Sequence, residues 1–290
     1  MAQQIPMSQS DIAGEAQDDG TVEVTPDLAY LRLAIVNVVF YGRPGARDWV
    51  LVDTGIAGMA GRIRRAAAER FGADVPPAAI VLTHGHFDHV GALEELARGW
   101  DAPVYAHSLE MPYLDGSASY PPPDPTVGGG LTALLSPLFP RGPVDVKERL
   151  RPLPEDGSVP GMHGWRWMHT PGHSVGQVSL WREADRALIA ADTFVTTAQE
   201  SAYAAITQEP ELHGPPKYFT HDWQAARASV ERLASLKPEL VVTGHGRAMH
   251  GAVMREALHT LAKDFDRLAV PEHGRFVDAP QRAEDGSAYR

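Results

Sequence analysis

Thr83-His84-Gly85-His86-Phe87-Asp88-His89-Val90-Gly91 places four side chains with metal-binding donors within six positions. In a chain with 13 His among 290 residues, the pattern His-x-His-x-Asp-His arises by chance roughly two times in a thousand, so it reads as built chemistry. The apolar run Ala79 to Thr83 before it has the composition of a short strand, and Val90, Leu93, Leu96 and Ala97 after it mark one face of a helix. His84 and His86, two apart beyond a strand end, project to one side. Asp88 and His89 open the next helix, where neighbouring side chains diverge by about 100° and address two points. One short turn can therefore serve two metal ions.

Upstream, Val22 to Val24, Leu28 to Phe40 and Trp49 to Val52 read as strands, the last ending in the turn Asp53-Thr54-Gly55. Ile56 to Phe71 carries Ile63, Ala66, Ala67 and Phe71 at helical spacing and stops at Gly72. Strand, helix, strand, helix is the resulting order. Between Met111 and Arg149 the periodicity is lost in a stretch holding Pro121-Pro122-Pro123 and Gly128-Gly129-Gly130, with one short helix expected at Leu131 to Leu138. Such a stretch reads as a lid-like insertion over 111–149. Strands are expected again at Trp165 to Met168, Gln177 to Trp181, Ala187 to Ala191 and Leu240 to Thr243. Helices are expected at Trp223 to Leu236 and Val253 to Leu268. This organisation predicts a disordered leading segment over 1–20, a single domain over 21–270 and a tail over 271–290.

Composition removes several classes. Zero Cys excludes a disulfide framework, a thiol nucleophile and sulfur ligands, so a metal must be held by His, Asp or Glu. With 26 Lys and Arg against 37 Asp and Glu, the net charge of −11 disfavours a nucleic-acid partner. The longest apolar candidate, Leu28 to Tyr41, is interrupted by Arg32 and Asn37 and falls short of the ~18 residues of a membrane span. The first twenty residues lack a basic start and an apolar stretch, which points to the cytoplasm.

Three further donors follow predicted strands: His173 in Thr170-Pro171-Gly172-His173-Ser174, Asp192 in Ala191-Asp192-Thr193, and His245 in Gly244-His245-Gly246. Strand ends bordering loops are where α/β architectures place ligands. The order and identity of these pieces, with Val52-Asp53-Thr54-Gly55, resemble the metallo-β-lactamase superfamily from about Val22 to about Leu268. The resemblance implies a four-layer αββα sandwich, His84, His86 and His173 on a first metal, Asp88, His89 and His245 on a second, and Asp192 bridging. Two divalent ions are implied; the His and carboxylate donors suit zinc and also accept iron or manganese. Asp53 has two readings, a ligand-orienting residue or a cap for the turn before the helix. The remaining His residues, His221 among them, read as ordinary surface or core residues.

A two-metal site supplies hydroxide at neutral pH without a protein nucleophile, and Asp88 would orient it and shuttle its proton. The expected enzyme is a hydrolase of a small ester, lactone or thioester, on the glyoxalase-II-like or lactonase-like side of the superfamily. Tyr113, Tyr120, Tyr203 and Tyr218 are candidate substrate contacts. Glyoxalase-II-like thioesterases carry a Cys-containing segment after the bridging Asp that is missing here, and Val195 stands where quorum-quenching lactonases place a Tyr. The alternatives are a mononuclear iron enzyme of the persulfide dioxygenase type, then a β-lactamase or a phosphodiesterase or nuclease.

Overall fold

The computed structural model describes residues 5–201, 203, 207 and 209–290, and these divide into two compact units. One, the Asp53 unit, comprises 14–120 and 141–167; the other, the Asp192 unit, comprises the described residues to Ala13, 121–140 and 168–290. Each carries its own sheet and its own helices.

The Asp53 unit is built on eight strands in chain order: Glu15–Ala16, Val22–Thr25, Leu28–Leu33, Val36–Tyr41, Val50–Val52, Ala79–Val81, Val104–Ala106 and Leu150–Pro152. Pairing is antiparallel as far as Val50–Val52 and parallel beyond it. The run Leu28 to Phe40 is two strands, because Ala34 takes φ 59° and reverses the chain. Helix Ala60–Phe71 begins four residues after the expected start and buries Ile63, Ala66, Ala67 and Phe71, the face its spacing marks. Helix Leu93–Trp100 buries Leu93, Leu96 and Ala97. Both helix faces join one apolar core with the sheet. At its centre Trp49 stacks on Phe71 with ring centroids 4.5 Å apart, meets Trp100 edge-on at 5.5 Å and donates from Nε1 to the Val75 carbonyl at 3.0 Å.

In the Asp192 unit four strands run in the order Val178–Arg182, Ala187–Ala191, Leu240–Thr243 and Met249–His250. Ala187–Ala191 pairs antiparallel with the first and parallel with Leu240–Thr243. Helices Trp223–Ser235 and Gly251–Lys263 cover this sheet and share its core. The expected closing helix ends at Lys263, and a separate turn, Phe265–Leu268, follows it.

The segments expected to be irregular have definite places. Ile5–Pro6 pairs with Glu211–Leu212, and Glu15–Ala16 forms the edge strand beside Val22–Thr25. The 111–149 insertion contributes helix Met111–Leu114 to the Asp53 unit and helix Leu131–Leu135 to the Asp192 unit. In the 271–290 tail, Arg275–Asp278 is helical, and Arg275 N donates to Asp124 Oδ2 at 2.6 Å. No helix among the described residues is long and apolar enough to cross a membrane.

Truncating Trp49, which is fully buried, removes the ring that joins two helices to the sheet. Trp49→Ala is expected to lower stability by about 3–5 kcal/mol, read by equilibrium chemical denaturation, and Trp49→Phe by less. A loss below 1 kcal/mol for Trp49→Ala would contradict this packing role.

Candidate metal centre

In the Asp53 unit, strands Val50–Val52 and Ala79–Val81 lie in parallel register, Val52 beside Val81. Each strand therefore ends at the same edge, and Asp53 arrives beside Thr83. Asp53 takes φ 60° and donates its N–H to the Val81 carbonyl at 2.9 Å. Its carboxylate accepts the Thr83 N–H on Oδ1 at 2.8 Å and the Thr83 hydroxyl on Oδ2 at 2.7 Å. Oδ2 also lies 2.8 Å from His89 Nδ1. With its proton given to Asp53, the Thr83 oxygen accepts from His84 Nδ1, 3.1 Å away. The pattern assigns the Nδ1–H tautomer to His84 and His89 and leaves Nε2 of each as the lone-pair donor. This is how metal-binding imidazoles are usually oriented.

His86 precedes the short helix Phe87–Val90, which carries Asp88 and His89. The His84 and His89 ring centroids are 4.1 Å apart, and those of His84 and His86 are 4.7 Å apart. All four donors are buried, with Asp88 the most accessible at 7%. Thr54 N–H and its hydroxyl both donate to the His89 carbonyl, at 2.7 and 2.8 Å, closing the loop from below. Asp53 thus holds Thr83 and the His89 ring together in this geometry. The alternative, a cap on the next helix, does not apply: that helix starts at Ala60 with Met59 as its cap residue.

The Asp192 unit gathers His173, Asp192 and His245. Asp192 follows Ala187–Ala191, and His245 stands two residues beyond Leu240–Thr243, its parallel neighbour. His245 Nε2 is 3.0 Å and His173 Nε2 3.5 Å from Asp192 Oδ2. His173 Nδ1 lies 3.3 Å from Thr220 Oγ1, whose own proton goes to the Pro216 carbonyl at 2.8 Å. The Thr220 oxygen can then only accept, which again assigns the Nδ1–H tautomer and directs Nε2 at the carboxylate. Gly172 takes φ 133°, and a Cβ there would lie 2.3 Å from the Ala226 nitrogen. No other residue fits this approach of the His173 loop to helix Trp223–Ser235. The Gly172 carbonyl accepts from His221 and Asp222 N–H, both at 3.0 Å. The Thr193 hydroxyl oxygen accepts from Gln177 Nε2 at 3.0 Å and shares a hydrogen bond with the Ser179 hydroxyl at 3.1 Å.

Each group of donors is thus assembled within its own unit. Nitrogen from imidazole and oxygen from carboxylate, with sulfur absent from the chain, suit a borderline divalent ion. The tyrosines diverge. Tyr120 is buried and donates its hydroxyl to Glu110. Burial first, and then the Glu110 carboxylate, raise the Tyr120 phenol well above its usual value, so it keeps its proton. Tyr113 stacks on Tyr120 at 3.7 Å. Tyr218 is buried against Phe219 and Phe139, and Tyr203 is 70% exposed. Packing therefore engages three of the four.

Two residues escaped the sequence. Glu110 is fully buried and accepts the Gly85 N–H at 2.9 Å. It lies 25 positions from the loop it serves, and its only sequence signal is a lone acid among apolar neighbours. His221, read as ordinary, is buried edge-on to Phe276. Burial, reinforced by charge on His173, lowers its pKa to about 3.

A model of the metallo-β-lactamase superfamily matches residues 31–245. The probable metallo-hydrolase YflN of Bacillus subtilis (strain 168) is 48% identical over 239 residues, covering 82% of this chain and 90% of that protein. The probable metallo-hydrolase YybB of the same organism is 31% identical over 199 residues, 69% of this chain and 76% of that one. Among solved structures, TTHA1623 in a di-iron-bound form is 26% identical with a TM-score of 0.51, covering 79% of this chain and 95% of that one. A β-lactamase domain protein from Burkholderia ambifaria is 21% identical with a TM-score of 0.59, covering 89% and 79%, and shares the fold. The expected αββα class agrees with these likenesses, each unit supplying one sheet and its helices.

Two outcomes follow for the metal-free protein. Asn at position 53 offers one oxygen where three donors require acceptors, so Asp53→Asn should cost about 1–3 kcal/mol in chemical denaturation; an unchanged midpoint would contradict the network. His221 is neutral in both states above pH 6.5, and below it the unfolded chain takes up a proton that the folded chain refuses down to about pH 3. Stability is therefore lost as pH falls through that window. Because one proton is worth at most ~1.4 kcal/mol per pH unit, His221→Gln should lose about 2 kcal/mol less than the parent between pH 7 and pH 5. Equal losses would show that His221 titrates normally.

Proposed function

Because the chain belongs to the metallo-β-lactamase superfamily, we propose that it is a metal-dependent hydrolase that uses two divalent ions to cleave a small ester, lactone or thioester. The observation that carries this reading is the set of buried His and Asp donors at strand ends, with the Nδ1 atoms of His84, His89 and His173 held by protein groups. On this reading, which follows from membership of the superfamily, His84, His86 and His173 would hold one ion, Asp88, His89 and His245 the other, and Asp192 both. Zinc fits the donor set, and the di-iron form of TTHA1623 makes iron the competing choice.

When bound, the ions supply Lewis-acid activation of water and of the scissile group. The protein residues divide the remaining work. Asp88 accepts the proton of the attacking water on a carboxylate oxygen and passes it to the leaving alcohol or thiol as the acyl bond breaks. Asp53 and Thr83 keep His84 and His89 in the binding tautomer through the cycle. Burial of these groups removes competing water and strengthens each charge interaction. The net charge of −11 favours a small substrate over a polynucleotide. The 111–138 segment is the specificity element of this proposal. Leu131, Leu134, Leu135 and Leu138 are 41–79% exposed, an apolar surface that closing on an acyl chain would cover.

Elemental analysis of protein purified without added metal is expected to give two ions per chain, with hydrolysis lost on chelation. One iron and no zinc would favour the dioxygenase chemistry instead. A panel of lactones, thioesters, aryl esters, β-lactams and phosphodiesters identifies the substrate class, and activity confined to phosphodiesters would overturn acyl transfer. Asp88→Asn is expected to lower kcat about 10²-fold or more with a smaller change in KM. Full turnover at normal metal content would remove Asp88 from the proton path.

A further inference from the structure

Gly85 stands between two proposed ligands, and its N–H is 2.9 Å from Glu110 Oε2 and 2.9 Å from the Tyr120 hydroxyl oxygen. Tyr120 donates that hydroxyl to the same Glu110 oxygen. Three groups thus close a ring around one backbone amide, and Glu110 and Tyr120 are both at most 1% exposed. Fixing this amide fixes the peptide plane that holds the His84 Cα, from which the His84 side chain departs, and His86 follows one peptide later. The Tyr120 ring also meets the His86 ring at a tilt of 50°, centroids 4.3 Å apart. From its other neighbour, Tyr113, it is separated by 3.7 Å in a stacked arrangement, so the phenol has no room to turn. A Cβ at Gly85 would stand 3.0 Å from the phenol oxygen, 3.3 Å from Cε2 and 3.4 Å from Leu114 Cδ2, so a larger residue would push the phenol by a few tenths of an ångström.

His84 and His89 are held through Nδ1 by Thr83 and Asp53. The His86 ring meets the Tyr120 ring, and the backbone before it is bonded through Gly85. We propose that Glu110 and Tyr120 are positioning residues that set the affinity of the ion bound by His84 and His86, and that the start of the 111–149 insertion is an anchor for the metal loop. The proposal rests on the two-metal reading above. A buried carboxylate locks the amide, a buried phenol locks the carboxylate and covers the imidazole, and a second phenol locks the first. Tyr120 therefore acts on the ligand loop and its hydroxyl is committed to protein groups, in place of the substrate contact expected from sequence.

The test is a zinc titration of the metal-free protein against a chromophoric chelator, resolving two binding constants, with thermal unfolding of the same metal-free samples. Tyr120→Phe retains the ring and removes only the hydroxyl. It is expected to weaken the first site about tenfold and leave the second within twofold, while the metal-free Tm falls only by the few degrees that one buried hydrogen bond costs. Glu110→Gln retains an accepting oxygen and should shift the same constant in the same direction by less. His86→Ala identifies which constant belongs to the first site. Unchanged constants in both variants, or equal weakening of both sites together with a larger fall in the metal-free Tm, would overturn the positioning role. Failure of the parent protein to bind two zinc ions would instead overturn the two-metal reading.

Discussion

One carboxylate ties the sheet of the Asp53 unit to the orientation of its ligands. Asp53 can reach Thr83 and His89 only because strands Val50–Val52 and Ala79–Val81 end in register. A slip of one residue would reverse the faces of the strand and carry Thr83 away from the acid. The same residue pays a conformational cost, since left-handed φ in a non-glycine residue is unfavourable by roughly 1–2 kcal/mol. Three hydrogen bonds to its side chain and one from its N–H offset that cost. Sheet register, ligand tautomer and local strain are therefore a single constraint, satisfied together or lost together.

The Asp192 unit solves the equivalent problem with neutral groups. His173 is held by the Thr220 hydroxyl and Asp192 by its place after Ala191, which itself takes φ 51°. Hydroxyls around Thr170, Ser179 and Thr193 brace the surrounding loop. A carboxylate behind an imidazole raises its basicity more than a hydroxyl does. His89 and His173 thus differ in the partner behind the ring, a carboxylate for one and a hydroxyl for the other, which their residue type does not reveal.

The insertion between Met111 and Arg149 has two duties that its composition merges. Its first ten residues pack Tyr113 and Tyr120 into the interior of the Asp53 unit, where they reach the metal loop. Its middle, Leu131 to Leu138, exposes leucines instead. Proline and glycine punctuate both parts, so a sequence reading sees one irregular stretch where the fold builds a buried anchor followed by an open surface.

Local rules were sufficient for what the sequence alone determined. The buried faces of Ala60–Phe71 and Leu93–Trp100 follow from spacing, because helix faces are periodic properties of neighbouring residues. The His84 to His89 motif stands out by its own density of donors, and the resemblance to the superfamily adds His173, Asp192 and His245 to it. Family membership followed from the same positions. What the tertiary structure decided are the relations between residues far apart in the chain: Asp53 with His89, Glu110 with Gly85, and His173 with Thr220. Partners separated by 25 to 47 positions leave no periodic trace. The same holds for His221, whose lowered pKa is a product of burial, and for Tyr120, whose hydroxyl is committed internally. Burial and partnership arise only when distant segments pack, and for that reason donor identity could be read from the chain while donor orientation could not.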